Sequence, residues 1–159
     1  MEKLMEQQDA EYIRQVMHEN RTAIMPLLRY LPWLLQHAGQ EGSSNYSGDG
    51  LGEHSIAFPV FDGTLMNFVR EAQKSPLMDK NYRYVYPRHR IKSHEEERLC
   101  IGRATWKEWD ILRGILSNYV LGGRTKASLW NEGLKEKIFY LTLSKMKEIV
   151  EYWDQPINV

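Results

Sequence analysis

Residues 110–149 read DILRGILSNYVLGGRTKASLWNEGLKEKIFYLTLSKMKEI, two apolar helical patterns joined by a glycine-containing turn. In the first pattern, Trp109, Ile111, Leu112, Ile115, Leu116, Tyr119 and Val120 cover more than half of a helix circumference. A helix apolar on so many sides is contacted on several of them. Thr105 and Glu108 stand at capping-box spacing, so this helix is expected over Trp106–Leu121, at the centre of the fold. In the second pattern, Phe139, Leu143, Met146, Val150 and Trp153 recur at spacings of four, three, four and three, which predicts a packed helix over Ile138–Trp153. A short helix over about Lys126–Lys135 fits between them.

The turn itself, LGGRTKAS, has two readings. As a corner, glycine supplies a left-handed residue after the helix, and Thr125 caps the next one. As a site, free backbone N–H groups at a helix start attract an anion, with Arg124 and Lys126 beside them. The Walker spacing GxxxxGK[ST] is absent. A groove-reading role for the following helix conflicts with Glu132 and Glu136, which would face phosphates.

Outward from this core, the N-terminal third is also helical in period. Ile13, Val16 or Met17, Ala23 or Ile24, Leu27 or Leu28, Leu31 and Leu35 follow a helical spacing. Pro26 predicts a break near 22–25 with a second helix starting beside it, and Pro32 a kink or early stop. Residues 1–9 are expected as a frayed arm. Residues 39–55 carry five glycines and no apolar period, which reads as a flexible loop or a lid. Asp62 is placed to cap a helix whose stripe is Leu65, Phe68, Val69 and Ala72. Ser93 and Glu96 form another box, opening a short helix that Gly102 is expected to end.

Between these helices, NYRYVYPRHRIK alternates, placing Tyr82, Tyr84 and Tyr86 on one side of an extended segment over 82–92. Arg83, Arg88, His89, Arg90 and Lys92 interleave with the tyrosines. Guanidinium groups pair with phosphates and aromatic faces stack on bases, so this segment, with Arg124, Thr125 and Lys126, is the candidate polyanion surface. The alternative is that the tyrosines cover the core edge while the arginines meet Glu95, Glu96 and Glu97.

Composition bounds the function. The chain has 159 residues, enough for one domain to hide roughly 70% of its extended-chain surface without a metal or disulfide. Its single cysteine, Cys100, forbids an internal disulfide. The first residues lack a secretory apolar run, and no apolar stretch is long enough to span a membrane. A cytoplasmic protein is expected. Net charge is zero, although residues 83–126 carry ten bases against five acids. His89, His94, Glu97 and Cys100 lie close in sequence, but HExxH and paired CxxC spacings are absent, so no metal and no cofactor is expected. No nucleophile, acid and base combination stands out, and no catalytic residue is assigned.

Three motifs occur in one order: YLPWLL at 30–35, FPVFDGTLMNFVREA at 58–72, and residues 110–149. In that order they resemble a bacterial helical domain family of unknown function, over about residues 27–150. That family reads Tyr-Leu-Pro-aromatic, aromatic-Pro-x-Tyr, an Arg-Gly-Glu-Arg-Phe-like turn, a Trp helix and a Leu-rich last helix. Gly122, Arg124 and Trp130 match its turn, whereas Leu121, Gly123 and Thr125 depart from it. The resemblance implies a helical fold and contributes no activity.

Together these readings predict a mainly α, single-domain helical bundle of about six helices. The leading functional expectation is a non-enzymatic interaction module that binds a protein partner or itself, because Trp and Tyr are abundant and enriched at interface hot spots. Burial of all five tryptophans would defeat it. Nucleic-acid or other polyanion binding through 83–92 is the second expectation. An enzyme with a site beneath the 39–55 loop, near His54, His89 or Arg124, is the third.

Overall fold

The computed structural model describes residues 2–47 and 57–154, with side chains described for 9–44 and 60–154. The chain is mainly helical. Among the described residues, eight helices follow in order: α1 Glu2–Leu28, α2 Leu31–His37, α3 Gly63–Gln73, α4 Val85–Arg88, α5 His94–Arg103, α6 Trp109–Gly122, α7 Ser128–Lys135 and α8 Ile138–Trp153. Two strands, β1 Ser43–Ser47 and β2 Ala57–Phe61, form one antiparallel hairpin with Asn45 opposite Pro59. The count exceeds the expected six: seven helical segments are readable in sequence, and α4 is an extra helical turn.

The core lies between α6 and α8. Leu112, Ile115, Leu116, Tyr119 and Val120 of α6 face inward, as do Ile138, Phe139, Leu143, Met146 and Val150 of α8. The expected central role of α6 is therefore shared. α8 packs on α1, α2, α5, α6 and α7, which matches its unbroken 4-3-4-3 stripe. α7 reverses into α8 at Lys137, a left-handed residue with φ of 66°. Gly133 lies against the Phe139 ring there, where a Cβ would come within 2.4 Å of Cε2.

Several expectations are corrected. α1 runs through Pro26 to Leu28, and residues 2–9, expected as an arm, are its first turns. Pro26 lies one turn from the helix end, so the backbone bond it removes is among the last of α1, while Ile24 and Leu27 beside it are fully buried. Pro32 opens α2 instead of kinking it, because a first-turn N–H has no intrahelical partner to lose. Part of the 39–55 loop is strand: 43–47 pair with 57–61, and a paired polar strand carries no apolar period to detect. Residues 48–56, with His54 and the second half of the expected lid, lie outside the described residues. Gly102 sits inside α5 instead of ending it.

Residues 82–92 are not extended. Tyr82–Tyr84 form a 3-10 turn that runs into α4. Tyr82, Val85 and Tyr86, spaced three and one, face α6 together, whereas Tyr84 is exposed. Val85 lies so close to Gly114 that a Cβ would meet its Cγ2 at 2.4 Å. Alternating tyrosines satisfy a period of two and, through Val85, a period near 3.6. The flat glycine face on α6 selects the second.

Asp62 and Thr105 cap as their sequence implies. Asp62 accepts from the Thr64 and Leu65 N–H groups at 2.7 and 3.2 Å and starts α3. Thr105 and Glu108 close a reciprocal box on the turn before α6.

Candidate functional site

Two surface features concentrate polar or aromatic chemistry. The first grows from the Ser93 cap. Its Oγ accepts from Glu96 N–H at 3.1 Å and sets the first turn of α5. That turn places His94 and Glu97 on one face, and His94 Nδ1 lies 2.7 Å from Glu97 Oε1. Glu97 is only 3% exposed. An unpaired buried carboxylate is costly, so its oxygens need donors. Tyr119 of α6 donates its hydroxyl to Oε1 at 2.7 Å, and Tyr86 of α4 donates to Oε2 at 2.6 Å. Asn118 Nδ2 donates to the Tyr86 oxygen at 3.2 Å. Burial, and then the neighbouring Glu97 charge, push both tyrosine hydroxyls far above the ordinary tyrosine range. Both therefore hold their protons and act as donors. A cleft of about 380 Å³ opens over this cluster, with Ile91, Leu129 and Glu132 among its walls.

The second feature is aromatic. Trp106, Tyr152 and Trp153 meet where the turn before α6 faces the last turns of α8. Trp106 and Trp153 lie edge to face at 6.3 Å, and Tyr152 and Trp153 at 5.6 Å. Tyr152 is 70% exposed. These rings border a cleft of about 590 Å³ whose rim carries Lys107, Glu108, Lys145 and Glu148. Over Trp106 and Lys107 the surface continues into a neighbouring cleft lined by Tyr12, Ile13 and Val16 of α1, with Tyr12 67% exposed. Of the five tryptophans only Trp109 is buried; Trp33, Trp106, Trp130 and Trp153 keep part of their surface exposed.

The basic candidates fall in separate places. Arg83, Arg88, His89, Arg90 and Lys92 are exposed, as are Arg124, Thr125 and Lys126. Tyr82 lies at Gly122 and Val85 at Gly114, so this segment runs antiparallel to α6. Arg88 and His89 reach the N-terminal end of α6, in a cleft that also holds Asp79, Asp110 and Arg113. Arg124–Lys126 follow its C-terminal end, about 20 Å away at 1.5 Å per residue. Lys92 instead lines the Glu97 cleft. Arg90 is a left-handed turn residue with φ of 55°. The arginines do not gather on Glu95–Glu97: Glu97 is taken by Tyr86, Tyr119 and His94, and Glu96 accepts from the Lys92 backbone at 3.1 Å.

The turn at 121–126 is built as a corner. The amides of Gly123, Arg124, Thr125 and Lys126 all donate to carbonyls of the last turns of α6. Thr125 donates its hydroxyl to the Gly122 carbonyl and does not cap α7, whose N-cap is Ala127. Gly123 is right-handed, with φ of −63° and ψ of −18°. It is glycine because the Trp130 indole lies on it, and Trp130 Nε1 donates to the Val120 carbonyl at 3.0 Å.

Among the described residues, no three His, Cys, Asp or Glu side chains stand where they could share a metal ion. Cys100 is half-buried, and burial raises its thiol above the usual range. Among the described residues, no helix is long and apolar enough to cross a membrane. The chain matches no known family, no curated protein and no solved structure.

Proposed function

We propose that this chain is a non-enzymatic interaction module that associates with a second copy of itself through the aromatic surface of Trp106, Tyr152 and Trp153. The observation that carries this reading is the exposure of Tyr152 within a cluster of three aromatic rings around an open cleft. Aromatic side chains bring large apolar area and lose little rotamer freedom, which suits them to the centre of an interface.

The rim supports a like partner over an unlike one. Lys107 and Lys145 stand with Glu108 and Glu148, two charges of each sign around one apolar patch. A twofold interface places the same surface against itself, so a mixed rim pairs with its own copy, while a rim of one sign would repel it. The zero net charge of the chain removes the long-range repulsion between copies. Tyr12, across Trp106, extends the patch. A stable pair needs about 800 Å² from each copy, and the two adjoining clefts supply a continuous surface of mixed aromatic and aliphatic groups.

Sedimentation velocity across a concentration series tests this. The wild-type chain is expected to shift from monomer to dimer, and Tyr152→Glu to remain monomeric with an unchanged circular dichroism spectrum. A wild-type chain that stays monomeric up to millimolar concentration refutes self-association. So does a dimer that Tyr152→Glu leaves intact.

A further inference from the structure

The cleft over Glu97 shares none of its lining residues with the aromatic surface, and its chemistry is one-sided. Each donor in its floor is turned inward. Tyr86 and Tyr119 give their hydroxyl protons to Glu97. A carboxylate only accepts, so the His94 nitrogen 2.7 Å from Glu97 Oε1 must carry the proton. Nδ1 also lies 3.0 Å from the Tyr119 oxygen, so it is fully engaged, and in the neutral imidazole Nε2 is the nitrogen left to accept. The Tyr86 oxygen has committed its proton, so Asn118 must offer it the NH₂ side, which leaves the amide oxygen without a side-chain partner. Glu132 of α7, half-buried in the same lining, makes no side-chain hydrogen bond or ion pair among the described residues. No lysine or arginine side chain compensates Glu97; its partners are two hydroxyls and an imidazole.

We propose that this cleft binds an organic cation with N–H donors, an alkylammonium or guanidinium group, with His94 Nε2, the Asn118 amide oxygen and the Glu132 carboxylate as acceptors. The floor adds attraction of the same sign through the buried Glu97 charge, which a low-dielectric setting screens weakly. Ile91 and Leu129 supply apolar wall for a short alkyl stem; Ser93 and the exposed Lys92, the one lysine or arginine in the lining, complete it against the two carboxylates of Glu97 and Glu132. The volume of about 380 Å³ is near the lower end of the ~300–1,000 Å³ typical of ligand pockets, which fits one small head group. Such a group comes from a free amine or from a Lys or Arg side chain of a peptide, and the two differ only in what extends beyond the mouth.

The test is a titration of the full-length chain followed by the His94 imidazole NMR signals. Butylamine and butylguanidine are the free cations; N-acetyl-lysine and N-acetyl-arginine methylamides represent a polypeptide; butanol and butyrate are the neutral and anionic controls. Both kinds of cation are expected to move the His94 signals saturably, and the controls are not. Glu132→Gln, a half-buried change outside the hydrogen-bonded floor, is expected to weaken the cations about tenfold or more while the spectrum of the fold is retained. Tighter binding of the methylamides identifies a polypeptide source, and tighter binding of the free cations a metabolite; each supports the site. Failure of every cation to shift His94 overturns the proposal, as does butyrate or butanol binding as well as butylamine, or full affinity in Glu132→Gln.

Discussion

Replacing Gly123 by alanine separates packing from backbone geometry at the α6–α7 corner. Gly123 has helical dihedrals, so alanine faces no conformational penalty there. On helix propensity alone the change would stabilise the chain by up to ~1 kcal/mol. The Trp130 ring reverses the sign. An added Cβ would lie 2.0 Å from Nε1, 2.3 Å from Cδ1 and 2.5 Å from Cε2, well inside van der Waals contact. A rigid indole cannot swing a terminal atom aside; it must move as a whole. Moving it strains the α6–α7 packing, a cost of about 1–3 kcal/mol. It also breaks the 3.0 Å bond from Nε1 to the Val120 carbonyl, worth roughly 1 kcal/mol. After the propensity gain, the net loss is about 2 kcal/mol, a fall in Tm of ~4–8 °C for a chain of this size. Thermal and urea unfolding, followed by circular dichroism and tryptophan fluorescence, would measure it. The matched control is Gly102→Ala, inside α5 with nothing within 4 Å of the new Cβ, which is expected to stabilise by up to ~1 kcal/mol. If Gly123→Ala proves as stable as wild type, the claim that Trp130 dictates the glycine is wrong.

Three further outcomes follow from particular groups. Thr142 on α8 is fully buried and its hydroxyl has no partner, so Thr142→Val should stabilise by about 1 kcal/mol in urea unfolding, with an unchanged m-value. Asp62→Ala removes the acceptor for two α3 amides and should cost ~1 kcal/mol in the same assay, with Asp62→Asn costing much less. Burial raises the Tyr30, Tyr86 and Tyr119 hydroxyls above their unfolded value of 10.0. The folded state thus binds protons that the unfolded state releases, so stability is full below pH 10 and falls as pH rises beyond it. In an absorbance titration at alkaline pH, Tyr86 and Tyr119 should ionise only with unfolding; their smooth ionisation in the folded chain would contradict the burial of the Glu97 cluster.

What was legible in sequence follows from which interactions are local. α8 and α3 were readable to within a residue because their stripes and the Asp62 cap are set by neighbours three or four positions away. The 3-10 turn and α4 were not, because Gly114 decides their conformation from a different helix. β1 is polar and known only by its pairing with β2. The Glu97 site is half visible in sequence: His94 and Glu97 stand close together there, without the spacing of a metal motif. Their partners Tyr86 and Tyr119 stand 11 and 22 residues away, joined only by the fold. Glu132, in the same lining, reads in sequence merely as a charge on α7.

The segment from Tyr82 to Ile91 has a distinctive attachment. Its backbone hydrogen bonds are all short-range, such as Tyr82 N–H to Asp79, His89 N–H to Val85 and Ile91 N–H to Tyr86. What fixes it to the rest of the molecule is side-chain contact: Val85 on the bare face of α6, and the Tyr86 hydroxyl on Glu97 and Asn118. A piece of chain held this way detaches without breaking any sheet or long helix. Its amides should therefore exchange with deuterium as one cooperative unit, at a free energy below that of global unfolding. Exchange of that unit ahead of the global transition would mean that Glu97 meets water while the chain around it remains folded; exchange only with global unfolding would refute the separation.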